Sequence, residues 1–246
     1  MELLGIDIGG TGIKGAPVDL VRGVLAGERF RLETPKGAEP DAVAEVVARV
    51  ASHHGTTGPV GITFPGVVQH GTILTAANMG KAWVGMDADT FFTESIGRPV
   101  HLTNDADAAG VAEMRYGVGR DRKGVVLMLT LGTGIGSALF VDGRLVPNTE
   151  FGHIEIDGRD AETLASGRAQ EKDKLSWREY TKRLNRYLAA VDALVWPDLV
   201  ILGGGVSKDS AKFLPSLRVR CPVVVAQLLN NAGIVGAAAI VAELGA

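Results

Sequence analysis

At 246 residues the chain is long enough to bury a full core, and it fits one two-lobed unit or two small domains rather than a long multidomain assembly. Its composition, 46% hydrophobic and 22% charged, is that of a globular enzyme apart from an excess of 33 glycines, and a formal net charge of −3 excludes a general basic field for nucleic acid or an anionic membrane. The single Cys221 cannot close an intramolecular disulfide, no Cys/His group has zinc spacing and no apolar run reaches membrane-spanning length, which together point to a reducing, cytoplasmic setting.

In chain order, the apolar patterns predict strands over 3–8, 13–19 and 24–33, joined by tight glycine turns. A helix follows over 41–54, with Ala42, Val43, Val46, Val47 and Val50 on one face, and then a strand over 60–64. After a long loop through Trp83, a strand over 100–103 feeds a helix over 105–116. Residues 125–131 and 135–141 form a second glycine-turned strand pair. A long helix is predicted over 173–195, with Leu175, Tyr180, Leu184, Leu188, Val191 and Leu194 as its apolar positions. A strand over 199–202 ends in Gly203-Gly204-Gly205, and an Ala-rich helix over 231–244 closes the chain. The fold class is mixed α/β.

One repetition organises this list. Asp7-Ile8-Gly9-Gly10-Thr11-Gly12-Ile13-Lys14 and Leu131-Gly132-Thr133-Gly134-Ile135-Gly136 share the pattern strand, Gly-Thr-Gly-Ile, strand, about half a chain apart. Two related lobes facing one ligand are therefore expected. Gly10 to Gly15 matches G-x-G-x-x-G, but Ala16-Pro17-Val18-Asp19 continues as a hairpin where a dinucleotide site needs a helix, and neither turn ends in the Gly-Lys-Ser/Thr of a P-loop. A strand-Gly-Thr-Gly-strand turn instead offers a row of backbone N–H groups and a hydroxyl with no Cβ to block a phosphate oxygen. Two such turns could grip one phosphate chain from both sides; each alone reads equally as a tight hairpin. Gly203-Gly204-Gly205 stands where a strand meets a helix, suited to a donor's remaining phosphates or to close strand–helix packing.

Asn104 and Asp105 fall between a strand end and a helix start, where side chains point into clefts. A carboxylate there can take the proton of an attacking sugar hydroxyl, and helix capping is the competing role. Glu150-Phe151-Gly152-His153 and the following Glu162 form an acid-rich stretch of the kind that pairs with several hydroxyls of a polyol. On the predicted long helix, Lys174, Arg178, Lys182 and Arg186 recur at i, i+4, a basic ridge that could steer a polyanion or simply be a solvated face.

Taken together these residues resemble the ROK family of sugar kinases. The phosphate motifs correspond to 7–16 and 131–137, the base motif to Asn104-Asp105, the Gly-His signature to Gly152-His153, the nucleotide-side glycines to 202–206 and the last hinge helix to 231–238. Within the family the strings Val146-Pro147-Asn148-Thr149-Glu150-Phe151, Ser176-Trp177-Arg178-Glu179-Tyr180 and Trp196-Pro197-Asp198-Leu199 are similar to its polyphosphate-using glucokinases. The resemblance implies a two-lobed actin-like, hexokinase-like (ribonuclease H-like) ATPase fold with a central cleft. Its small lobe would be 1–104 with 231–246 returning to it, and its large lobe 105–230.

It further implies that glucose, with mannose as a further substrate, is phosphorylated on its 6-hydroxyl from polyphosphate or ATP. Asp105 would be the general base, and Asn104, Glu150, His153, Glu162 and Gly66 would hold the sugar. Gly9, Gly10, Thr11, Gly12, Lys14, Gly132, Thr133, Gly134, Gly203, Gly204 and Gly205 would line the donor path, and Asp7 would organise Mg²⁺ through water. No zinc site is expected, because 157–161 carries no cysteine where many family members have a cluster. A homodimer is expected, with no nucleic-acid or membrane partner. The rival readings are a strictly ATP-dependent hexokinase for glucose, mannose or an N-acetylhexosamine, and a sugar-responsive regulator; the latter expects a helix-turn-helix ahead of the first phosphate strand, which here starts at Leu3.

Overall fold

The computed structural model describes residues 1–76 and 79–244, so residues 77 and 78 of the predicted small lobe and the last two of its returning segment lie outside the described residues. The chain divides into two compact units, Met1–Tyr116 joined by Asn230–Ala246, and Gly117–Leu229.

The first unit opens with β1 (Glu2–Ile8), β2 (Ile13–Asp19), β3 (Val24–Leu25) and β4 (Phe30–Leu32). The third strand, predicted as one run over 24–33, is thus two short pieces: β3 pairs with Val18 and Asp19, and β4 with residues 13–15. Pro17 lies between those pairings, and its missing N–H leaves the ladder one donor short on that edge. Next come α1 (Pro40–His53), β5 (Val60–Phe64), a small hairpin of β6 (Val68–Gln69) and β7 (Thr72–Ile73), α2 (Ala88–Ile96), β8 (Val100–Asn104) and α3 (Asp105–Tyr116).

Strand alternation gives the central strands two different faces. Ile6, Ile8, Ile62 and Phe64 point into a core with Val43, Val47 and Val50 of α1. The intervening Gly5 and Gly61 meet the backbone of α7 (Ala232–Leu244) so closely that an added Cβ would stand 2.0 Å from the carbonyl oxygens of Ile234 and Ala237 respectively. α7 also packs along α3. That packing is why the units part after Tyr116 and not after Asn104, the boundary expected from sequence.

The second unit contains β9 (Val125–Leu131), β10 (Ile135–Val141), β11 (Arg144–Val146), a short ribbon of β12 (Glu155–Ile156) and β13 (Arg159–Asp160), α4 (Glu162–Ala165), α5 (Gly167–Lys172), α6 (Trp177–Val195), β14 (Leu199–Gly203) and β15 (Val223–Val225). The single helix predicted over 173–195 begins instead at Trp177. Ser176 and Glu179 form a reciprocal capping box there, and Lys174 lies outside the helix with a positive φ of 50°. Tyr180, Leu184, Tyr187, Leu188 and Val191 pack on Leu127, Leu129 and Leu131, whereas Leu194, a predicted apolar position, is exposed.

The two sheets have one plan. The strand order is β3-β2-β1-β5-β8 in the first unit and β11-β10-β9-β14-β15 in the second, each an antiparallel meander followed by two parallel strands.

Candidate active site

The first glycine turn joins β1 to β2. Gly9 N–H donates to the Gly12 carbonyl at 3.1 Å, Thr34 Oγ1 donates to the Gly9 carbonyl at 2.5 Å, and Arg31 Nη2 donates to the Thr11 carbonyl at 2.8 Å. The turn's carbonyls are therefore drawn back toward the protein. Strand register sets Asp7 opposite Lys14, and the two side chains form an ion pair at 2.9 Å. The other Asp7 oxygen accepts from Thr63 Oγ1 at 2.8 Å, so its carboxylate is fixed from two strands. Lys14, expected from sequence as a donor ligand, is here the countercharge of Asp7.

At the end of β8, Asn104 takes the capping role that sequence left open between it and Asp105. Asn104 is buried; its Oδ1 accepts from the N–H groups of Ala106 (2.8 Å) and Asp107 (3.0 Å), and its Nδ2 donates to the Gly66 carbonyl at 3.0 Å. It caps α3 and ties that helix to residue 66, leaving one N–H for any other partner. Gly66 is required by close approach, since a Cβ there would stand 2.1 Å from the Thr75 carbonyl oxygen. Asp105 is exposed, and its Oδ1 accepts from Ala106 N–H at 2.8 Å, which aims a carboxylate outward from the helix start.

In the second unit the turn after β9 is closed by Gly132 N–H donating to the Gly134 carbonyl at 3.0 Å. Glu162, at the start of α4, fills the space beside Gly134 and accepts from Ile135 N–H at 3.3 Å. Buried Ser137 on β10 donates to the Thr149 carbonyl at 2.5 Å and accepts from Phe151 N–H at 3.0 Å, holding Glu150 between them. Gly152 lies so close to β10 that a Cβ would stand 2.2 Å from the Ile135 carbonyl oxygen. His153 is consequently placed 3.9 Å from Glu150 and 3.5 Å from Asp160, the second being a partner that the sequence reading passed over. Burial pushes the Glu150 carboxyl up from its ordinary value, with His153 opposing and the charge of Glu162 adding to the shift. Glu150 and Asp160 flank the exposed His153 imidazole, and Glu162 lies near enough for Glu150 to feel its charge, an acceptor-rich chemistry suited to several hydroxyls at once.

The glycines sort by what demands them. Gly204 has a φ of +80° and would collide with the Leu131 backbone, so the fold itself requires glycine there, whereas a Cβ on Gly203 would meet the flexible end of the Met128 side chain at 2.9 Å. Gly10, Gly132 and Gly205, one from each glycine run, have no atom within 4 Å of an added Cβ, and their backbones lie outside the left-handed region. No contact within the chain explains their lack of a side chain, whereas a ligand approaching the backbone would.

Residues 3–173 match the ROK family. The chain belongs to that family. Among ROK relatives, it is 51% identical over 235 residues to the polyphosphate glucokinase of Mycobacterium tuberculosis, covering 95% of this chain and 89% of the relative. The crystal structure of an inorganic polyphosphate/ATP-glucomannokinase from Arthrobacter sp. strain KM superposes with a TM-score of 0.95 at 56% identity, covering 99% of both chains. A ROK family glucokinase from Streptomyces griseus, solved with glucose and AMPPNP, matches with a TM-score of 0.84 at 26% identity, over 98% of this chain and 99% of that one. The fold is that of the ROK sugar kinases, an α/β hexokinase-like fold built from two units.

The predicted basic ridge does not survive as a single row. Lys174 is off the helix, and Arg186 is bound in an ion pair with Asp157, which leaves Arg178 and Lys182.

Proposed function

We propose that this chain is a kinase that phosphorylates the 6-hydroxyl of glucose, drawing the phosphoryl group from inorganic polyphosphate and from ATP. The observation that carries this reading is the 51% identity to a polyphosphate glucokinase along 95% of the chain. Asp105 is the general base: it accepts the O6 proton as the new O–P bond forms and the donor's terminal P–O bond breaks, leaving a polyphosphate shorter by one unit, or ADP. Glu150, His153 and Glu162 hold the remaining hydroxyls. The open N–H rows at Gly10, Gly132 and Gly205 receive phosphate oxygens.

Magnesium fits the chemistry of Asp7. A lone carboxylate 2.9 Å from a Lys ammonium is a poor direct cage, but it can accept hydrogen bonds from the water shell of an ion carried in by the phosphates. When bound, Mg²⁺ would neutralise phosphate charge. By the same reading mannose is a second substrate, as the name of the Arthrobacter relative supports, and the enzyme works as a cytoplasmic homodimer. A light-scattering mass of one chain would remove the dimer.

The test is a coupled glucose 6-phosphate assay on the purified protein, with polyphosphate and ATP compared side by side. Turnover with ATP alone would leave a strictly ATP-dependent hexokinase. Asp105→Asn keeps the shape and deletes the proton acceptor, and it is expected to lower kcat by about 10²–10⁴-fold without changing the melting temperature. A loss smaller than about tenfold would assign the base elsewhere.

A further inference from the structure

The two surviving ridge residues belong to a different constellation. Arg178 and Lys182, one turn apart on α6, line a hollow of about 510 Å³ together with Lys212 and Arg218. Asn185 builds its rim: Oδ1 accepts from Arg218 N–H at 2.7 Å and Nδ2 donates to the Ser216 carbonyl at 3.0 Å, fastening the 214–218 segment to α6. Lys212 is held by Asp209 at 2.6 Å and lies over the Trp177 ring, 5.1 Å from its centroid. Among the described residues Arg178, Lys182 and Arg218 form no ion pair. Glu179 feels the charge of Lys182, but its carboxylate is engaged by Ser176, whose N–H and Oγ lie at 2.9 and 2.6 Å. Three cations without an ion pair among the described residues and one paired one thus share a hollow on a chain whose net charge is −3.

We infer that this hollow is a docking subsite for the distal part of a linear polyphosphate chain, an inference that rests on the donor reading above. Repeated phosphate charges would relieve the mutual repulsion of the cations and satisfy both the Arg forks and the Lys ammonium groups. A single-stranded nucleic acid needs aromatic platforms for its bases, and among the described residues no aromatic side chain lines the hollow, while Trp177 near it is covered by Lys212 and stacked on Phe213. Lys212 ends the 3₁₀ segment Gly205–Lys212, which starts at the open glycine of the third run. That segment is kinked at Asp209, so at about 2 Å per residue it spans at most on the order of 15 Å, a separation that several linked phosphates can bridge.

The test compares the parent with the Arg178→Gln/Lys182→Gln double variant and with Arg218→Gln, all positions lying outside the catalytic machinery. KM is measured with long-chain polyphosphate, tripolyphosphate and ATP, and direct binding with fluorescently labelled long-chain polyphosphate. For the variants, KM and Kd for the long chain are expected to rise about tenfold and their salt dependence to flatten, with kcat and both short-donor KM values unchanged. Unchanged long-chain binding in the variants, with a parent that turns over polyphosphate, would overturn the subsite while sparing the donor reading. Labelled polyphosphate bound by the parent and lost in the variants, without any polyphosphate turnover, would sink the donor reading and keep the subsite. Equal losses with ATP, or RNA bound as tightly at equal salt, would overturn the assignment of the hollow.

Discussion

Glu150 carries a cost that its position in the fold does not refund. Desolvation is the leading cause of its raised carboxyl pKa, ahead of the opposing charge of His153 and the reinforcing charge of Glu162. Above that raised value the folded chain holds a partly buried charge that the unfolded chain solvates freely, so the ionised form lowers stability. As the pH falls through the raised value toward the ordinary 4.5, the folded state takes up the proton first and the penalty disappears. Glu150→Gln is therefore expected to raise the melting temperature at pH 8, with the gain shrinking toward pH 5, while weakening glucose binding. Melting curves at the two pH values check the first part; a gain that grew on acidification would contradict the desolvation account. At this scale the sequence was legible only in part. It placed Asn104 and Asp105 together but could not say which would cap, because both side chains cap well and only the burial of Asn104 against Gly66 decides. Asp160 was passed over because its approach to His153 depends on the β12–β13 ribbon, a two-residue pairing too short to leave a periodic signal.

At the level of elements, the glycine turns were readable because Gly-Thr-Gly between two apolar runs has few alternatives, and the predicted bounds 13–19, 125–131 and 135–141 coincide with the strands observed. What the pattern could not reveal is which glycines the packing of the chain demands and which it leaves free to vary. The distances separate them, and they yield opposite expectations for one substitution. Gly10→Ala and Gly132→Ala meet open space and an ordinary backbone, so each is expected to be neutral or to stabilise by up to about 1 kcal/mol while raising KM for the phosphoryl donor. Gly236→Ala would drive a Cβ to 1.7 Å from the Ala108 carbonyl oxygen, prising α7 from α3, and is expected to destabilise by about 3 kcal/mol or more. Thermal melts paired with donor titrations distinguish the two classes, and a Gly10→Ala variant with unchanged donor kinetics would remove that turn from the phosphate path. α2 escaped the sequence reading although its signals were present: Asp87 accepts from Thr90 N–H at the start, and Gly97 closes the helix in the left-handed region. β15 is three residues long and β3 only two, and pairings of that length are set by their neighbours rather than by their own periodicity.

For the whole molecule, the repeated Gly-Thr-Gly motif foretold two related halves, and the shared strand order of the two sheets bears this out down to the switch from antiparallel to parallel pairing. The boundary was misplaced because a helix start reads the same in sequence whether the helix packs backward or forward; here α3 packs on α7, which arrives from the far end of the chain. That asymmetry has a consequence for autonomy. Gly117–Leu229 is continuous in sequence and owns a core centred on Leu127, Leu129, Tyr180, Leu184 and Leu202. Met1–Tyr116 without the returning segment would expose Gly5 and Gly61 on one sheet face and leave the Ala108 side of α3 uncovered, because the atoms nearest to each belong to α7. A fragment of residues 117–229 is therefore expected to fold by itself with a cooperative thermal transition, whereas residues 1–116 remain largely unfolded until a fragment of 230–246 is supplied or fused. Circular dichroism melts of the three preparations provide the check. A cooperative transition for 1–116 alone would mean that α7 is dispensable to its unit, and the tight glycine contacts would then have to be explained by something other than the seating of that helix.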